Sequence, residues 1–310
     1  IYNDFHTKFY KYFYLTKGME ILIIALVFIY LIISVISDIK TTEIPDFLNY
    51  SFIFIGIFIY GLKTLVTNDN SFFLSSIITV GIFFALGIIM YYTKQWGGAD
   101  SKLLMGLGAL IPIYPGVLLN NFSLKTTKFL GLDLFINLLV VGAVYSLLFI
   151  IYLVIKNRKE FRKEFKKIYQ KKEVKFLEKI MWISIILINI FGFFLFQNSL
   201  QKNFVLTISL TLLLLNYLTI SIKAIEKVSM YKTISTKRLR VGDYVTKELR
   251  SKNKLVYKPI VHGINEKQMK EIKKHFSKVE IKDGIVFAPV FLVATAITLF
   301  FGNIILYLLP

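Results

Sequence analysis

The chain contains no cysteine, which excludes disulfides, thiol nucleophiles and cysteine-bound zinc and leaves the redox state of its compartment unreadable. Histidine is nearly absent too: His6, His262 and His275 are scattered, with no His-Glu-x-x-His or carboxylate spacing that would hold a metal. No phosphate loop, dinucleotide fingerprint, internal repeat or low-complexity linker appears. Serine catalysis would want a Gly-x-Ser-x-Gly-like setting and an intramembrane histidine, and all three histidines fall outside the long apolar runs. What the chain has in excess is apolar and basic. It is 55% hydrophobic with a mean hydropathy of +0.62, too apolar to leave a polar surface around one soluble core. Its apolar runs extend for roughly 16 to 25 residues, where a soluble α/β protein would break them after about 4 to 8.

Such runs fall at 19–37, 47–66, 72–92, 103–120, 134–155, 180–196, 204–222 and 285–309, each near the ~20 residues that a helix needs to cross hydrocarbon. The expected fold is therefore an all-α polytopic membrane protein with about eight spans. Pro112 and Pro115 interrupt the fourth, a break that a membrane helix tolerates where neighbours satisfy the freed backbone. Lys and Arg set the orientation, because they are retained on the cytoplasmic side of short loops. With the N-terminus outside, the loops 38–46, 93–102, 156–179 and 223–284 face the cytoplasm and hold 31 of the 38 basic residues. Against 19 acidic residues this gives a formal charge of +19, which in a membrane protein points to anionic lipid as partner and not to nucleic acid.

The chain divides into an N-terminal tail (1–18) with no small-residue cleavage site, a region of five spans (19–155), a basic segment (156–179), two further spans (180–222), a small cytoplasmic piece (223–284) and a C-terminal span (285–310). Met19 could serve as an alternative start. The basic segment is expected to extend the fifth span as a helix with a solvated or lipid-touching face. The cytoplasmic piece is expected to be a small α/β module, with a Gly242-Asp243 turn and a helix capped by Asn265 that lines up Met269, Ile272 and Phe276.

Carboxylates beside apolar runs are functional candidates. Two places qualify: SDIKTTEIPD, where Asp38 closes the first span and Asp46 opens the second, and WGGADSKLL, where Gly97, Gly98 and Ala99 precede Asp100. Small residues there would let an extended peptide approach and let the backbone take dihedrals closed to larger side chains. Hydrolysing a peptide with carboxylates requires two near one water, one ionised to accept its proton and the other protonated to donate to the carbonyl. Lys40 and Lys102 are either interfacial anchors or cations that modulate the aspartates. Glu43 and Asp46 are ordinary loop charges or a binding place for basic residues of a substrate.

GGADSKLLMGLGALIP, with Asp38 in Asp-x-Lys and Ile-Pro-Asp, and with VGDYV and IKDGIVFAPVFL nearer the C-terminus, resembles the archaeal preflagellin and prepilin peptidases. These are a branch of the type IV prepilin peptidases that carry a Gly-x-Gly-Asp signature, whose second glycine is Ala99 here. The resemblance implies that Asp38 and Asp100 are catalytic and that no cofactor takes part. It also implies that the substrate is a prepilin or preflagellin precursor, cut after a short basic leader on the cytoplasmic face of the cell membrane. Bacterial relatives that also methylate their product carry a cysteine tetrad, so peptidase activity alone is implied. Two other classes stand beside this one: a transporter in which Asp38, Asp100 and Asn137 line an ion path, and a non-enzymatic anchor that docks an assembly machine through 223–284.

Overall fold

The computed structural model describes residues 2–93, 95–251, 254–260, 263–282 and 284–308, with side chains from residue 16 onward. Lys94, His262, Asp283 and Pro310 lie outside the described residues, as does the side chain of His6. The chain is mostly helical, and six helices are long and apolar enough to cross a membrane. It separates into two units, residues 1–146 with 285–310, and residues 147–284.

In the first unit, α1 (Tyr2–Thr41) carries a candidate span over Thr16–Thr41. Pro45 excludes Ile44 from helical dihedrals and stands as the N-cap of α2 (Asp46–Thr67). Asp46 lies in the first turn, where the helix dipole favours a carboxylate. Asn68, at φ 52° and ψ 33°, ends α2 in the left-handed conformation that asparagine tolerates. α3 (Ser71–Tyr92) follows, and then α4 (Gly98–Leu110), of 13 residues. The expected fourth span is not a continuous helix. α4 stops before Ile111-Pro112, and α5 (Gly116–Asn121) restarts after Pro115, because neither proline can donate to a helical ladder. α6 (Leu130–Lys156) is long enough to span. The expected eighth span is a 14-residue helix, α11 (Ala288–Phe301), ended at Gly302 with φ 83°.

α4 is the centre of this unit. Leu103, Leu104, Leu107 and Leu110 are fully buried, and Tyr30, Leu31 and Phe83 from α1 and α3 belong to the same core. Two glycines make the approach of its neighbours feasible. A Cβ on Gly56 of α2 would sit 2.6 Å from the carbonyl carbon of Ala109, and one on Gly106 would run into the Tyr30 ring. Between helices in lipid such small residues permit close packing, and polar side chains add hydrogen bonds. The Ser101 hydroxyl donates to the Gly87 carbonyl at 2.9 Å and the Tyr30 hydroxyl to Asn49 Oδ1 at 2.7 Å.

In the second unit the basic segment is not an extension of α6. The helix breaks at Asn157, α7 (Arg158–Tyr169) is a separate 12-residue helix, and α8 (Lys172–Leu195) already begins within the segment. α9 (Ser199–Ile225), capped by the Asn198 side chain, continues through a π-helical turn over Glu226–Met230. The small module then forms. β1 (Tyr231–Ser235), β2 (Tyr244–Val245) and a C-terminal strand β5 (Lys278–Lys282) make an antiparallel sheet with β5 in the middle. Tyr231 pairs with Lys282 and Val245 with Ile281. A hairpin of β3 (Leu249–Ser251) and β4 (Lys254–Tyr257) stands beside it. α10 (Glu266–His275) is capped reciprocally by Asn265 and Gln268, and it buries Ile272 against Leu239, Val245 and Val279, with Met269 and Phe276 alongside.

Candidate functional site

Asp38 lies in the last turns of α1, 8% exposed. Its Oδ2 accepts hydrogen bonds from the backbone N–H groups of Phe287 and Ala288, both at 2.9 Å. Those are the N-cap and first residue of α11, whose first N–H groups have no partner inside the helix and carry its positive end. Asp38 thus supplies an anion to a helix formed 250 residues later in the chain.

Asp100 is the third residue of α4, and its Oδ2 accepts from the Gly97 N–H at 3.0 Å. It lies outside the six candidate spans and is half-buried. Burial pushes its carboxyl up to about 7; the Gly97 N–H opposes this and the negative charge of Asp38 adds to it.

The segment before Asp100 is tied to the segment that holds Asp38 through aromatic rings. Trp96 is buried, with its ring edge-on to Phe291 at 5.4 Å, tilted against Phe287 at 6.3 Å and edge-on to Phe135 at 6.2 Å. The Tyr145 hydroxyl donates to the Val286 carbonyl at 2.9 Å, and its ring meets Phe287 edge-on. Edge-to-face pairs of this kind add about 0.5–1.5 kcal/mol each beyond burial.

The small residues of the motif act differently from the sequence-based expectation. Gly97 has φ −74° and Gly98 and Ala99 are helical, so no dihedral there is closed to larger residues. A Cβ on Gly97 would sit 3.2 Å from Asp100 Oδ2, a tight contact that would press on the carboxylate. A Cβ on Gly98 would make only ordinary contact with Tyr91 at 3.7 Å, and Ala99 packs against the core.

Lys102 reaches neither Asp38 nor Asp100. It donates to Asp46 Oδ1 at 2.6 Å and so joins the start of α4 to the start of α2. Lys40 is exposed at the end of α1. Glu43 and Asp46 are exposed on the same short connection, whose backbone is held by Ser37 and Thr41 hydroxyls donating to the Glu43 carbonyl. Asn137 is fully buried, with its polar atoms used inside the protein. Its amide donates to Thr298 and to the Gly302 carbonyl, and its oxygen accepts from the Ile304 N–H. Among the described residues no three His, Asp or Glu side chains gather as a metal-holding group.

Residues 25–154 match the type IV leader peptidase family. The matched segment contains both aspartates. Preflagellin peptidase of Methanocaldococcus jannaschii is 38% identical over 84 residues, which cover 27% of this chain and 36% of that one. Preflagellin peptidase of Methanococcus voltae is 31% identical over 131 residues, 41% of this chain and 54% of its own. Prepilin peptidase EppA of Methanothermobacter thermautotrophicus is 29% identical over 131 residues, 40% of this chain and 33% of its own. The chain therefore spans between a third and about half of the length of these relatives. No solved structure matches it.

Phe287 and Ala288 lie outside the leader peptidase match, and neither they nor Trp96 stood out in the sequence as site residues. A signal existed for the first pair: Phe-Ala-Pro before an apolar run marks a helix start, because proline is favoured in the first turn. Nothing in the sequence says that Asp38 caps it.

Proposed function

We propose that this chain is a membrane aspartyl endopeptidase that removes short basic leaders from prepilin-like or preflagellin precursors at the cytoplasmic face. The observation that carries the reading is that two carboxylates, Asp38 and Asp100, are each held by backbone N–H groups within a segment matching leader peptidases. Asp100, raised to about 7, is the group suited to carry the shared proton, and Asp38 the group that receives the proton of water. Water oxygen attacks the scissile carbonyl carbon while its proton goes to Asp38 and the Asp100 proton goes to the carbonyl oxygen. In the resulting gem-diol, the leaving nitrogen takes the proton from Asp38 as the C–N bond breaks. One hydroxyl proton returns to Asp100, which restores the pair.

The α11 N–H groups fix one Asp38 oxygen and the Gly97 N–H fixes one Asp100 oxygen, so the carboxylates need little reorganisation when substrate arrives. In this reading all eight apolar runs cross, so that the loops 38–46 and 93–102, which carry the aspartates, share the cytoplasmic side with 156–179 and 223–284; the four loops together hold 31 basic residues.

The test is cleavage of a precursor by the chain reconstituted in vesicles. Asp38→Asn and Asp100→Asn are each expected to lower kcat by more than ~10²-fold, the usual contribution of a positioned acid or base. Undiminished cleavage in both variants would overturn the assignment. Glu43 and Asp46 are the candidate contacts for the basic leader. Since Asp46 is already paired with Lys102, Glu43→Gln is the cleaner probe. It should raise KM for a Lys-rich leader several-fold more than for a leader with few charges, and equal effects on both would remove this role.

A further inference from the structure

We propose that the exposed cationic face of α7 is a docking surface for anionic lipid headgroups of the membrane that its flanking helices cross. α7 is strongly two-sided. Phe161, Phe165, Ile168 and Tyr169 pack against Ile220 and Ala224 of α9, so the apolar side is already used inside the protein and is not available for insertion into lipid. Glu164 is drawn to the same side by Lys227 at 3.3 Å. Left outward are Arg158, Lys159, Arg162, Lys163, Lys166 and Lys167, all exposed.

The two neighbouring helices fix the depth at which this face lies. α6 ends at Lys156, whose ammonium sits over the Tyr152 ring at 5.6 Å. α8 begins with exposed Lys175 and Lys179 among exposed Phe176, Leu177 and Trp182. Aromatic rings alternating with snorkelling lysines mark the boundary between hydrocarbon and headgroups. With such a boundary on each side and only 12 residues between, about 18 Å of helix, α7 is held at headgroup level. Juxtamembrane cations at that depth are attracted to anionic headgroups. α10 supplies an internal contrast. It is also two-sided but carries four lysines where α7 carries six Lys and Arg, two of its four are paired (Lys270 with Glu266, Lys274 with Glu271) where α7 pairs Lys167 with Glu164, and it adjoins strand β5 and no candidate span.

The chain has two tryptophans, buried Trp96 and exposed Trp182, so contact quenching by brominated lipid reports on Trp182 in α8, the helix that follows α7. In vesicles of neutral lipid, a brominated phosphatidylglycerol is expected to quench at a mole fraction about threefold lower than a brominated phosphatidylcholine. The preference should vanish at ~1 M salt, where the screening length is about 3 Å. It should also vanish in a variant with Arg162→Gln, Lys163→Gln and Lys166→Gln, whose fold is checked by circular dichroism, and persist in a variant with Lys267→Gln and Lys273→Gln on α10. Equal quenching by both lipids in the unaltered chain overturns the proposal. So does a preference that survives high salt or the triple substitution. Binding of a soluble polyglutamate peptide without any lipid preference would overturn it in favour of an acidic protein partner.

Discussion

α4 and α8 are both helices rich in leucine and isoleucine or phenylalanine, yet their surroundings are opposite. α4 is enclosed by protein, with Leu103, Leu104 and Leu107 at zero exposure, whereas α8 exposes Ile183, Ile190, Phe191 and Phe194, the last at 85%. The difference lies in side-chain size. α4 carries Gly106, Gly108, Ala109 and Ser101, which let backbones meet and polar groups bond across helices. α8 presents large apolar side chains that suit lipid tails. Both carry long apolar stretches; small residues separate a helix that packs on protein from one that faces hydrocarbon.

The largest expected contrast is in pH dependence. Asp100 at the start of α4 is an acid whose pKa is raised to about 7, so it keeps its proton below that pH and loses it above. If it is the proton donor, cleavage should fall up to about tenfold for each pH unit above 7. Glu173→Gln, at the exposed start of α8, should leave the profile unchanged. A pH-rate curve flat between 6 and 9 would break the link between enclosure and chemistry.

Next comes packing. Leu104→Ala should cost about 2–5 kcal/mol, because it empties a fully enclosed site. Phe194→Ala, which removes a ring already 85% exposed, should fall within about 0.5 kcal/mol of zero. Unfolding in mixed micelles measures both, and equal losses would mean that the enclosure of α4 has no energetic weight. The smallest contrast uses one substitution twice. Gly56→Ala forces a methyl against the Ala109 backbone and should cost about 1–3 kcal/mol. Gly81→Ala on exposed α3, where nothing lies within 4 Å, should stabilise by about 0.5–1 kcal/mol through helix propensity.

The long spans were legible because each is a run of apolar residues with charged or turn-forming ends, and hydropathy with a length requirement suffices for such runs. The Asn265 cap and the Gly242-Asp243 turn were legible because their signals are local. The breaks at Ile111–Pro115 and at Asn157 were harder. The first has prolines that membrane helices sometimes absorb, and the second has no helix breaker at all. At Asn157 the chain leaves α6 because Phe161, Phe165 and Ile168 find α9 to pack on, and the asparagine amide donates to Ser229 at 3.0 Å.

The sequence by itself determined that this chain spans a membrane, that its basic loops share a side if eight runs cross, and that Asp38 and Asp100 stand at the ends of apolar segments. Each is a matter of composition, spacing or local motif. Only the tertiary structure decided what surrounds the two carboxylates. Phe287 and Ala288 donate to Asp38, Gly97 donates to Asp100, Trp96 packs between the two segments, and Lys102 goes to Asp46 instead. Those contacts join residues up to 250 positions apart. Their geometry depends on how α1, α4 and α11 pack, which no local pattern encodes.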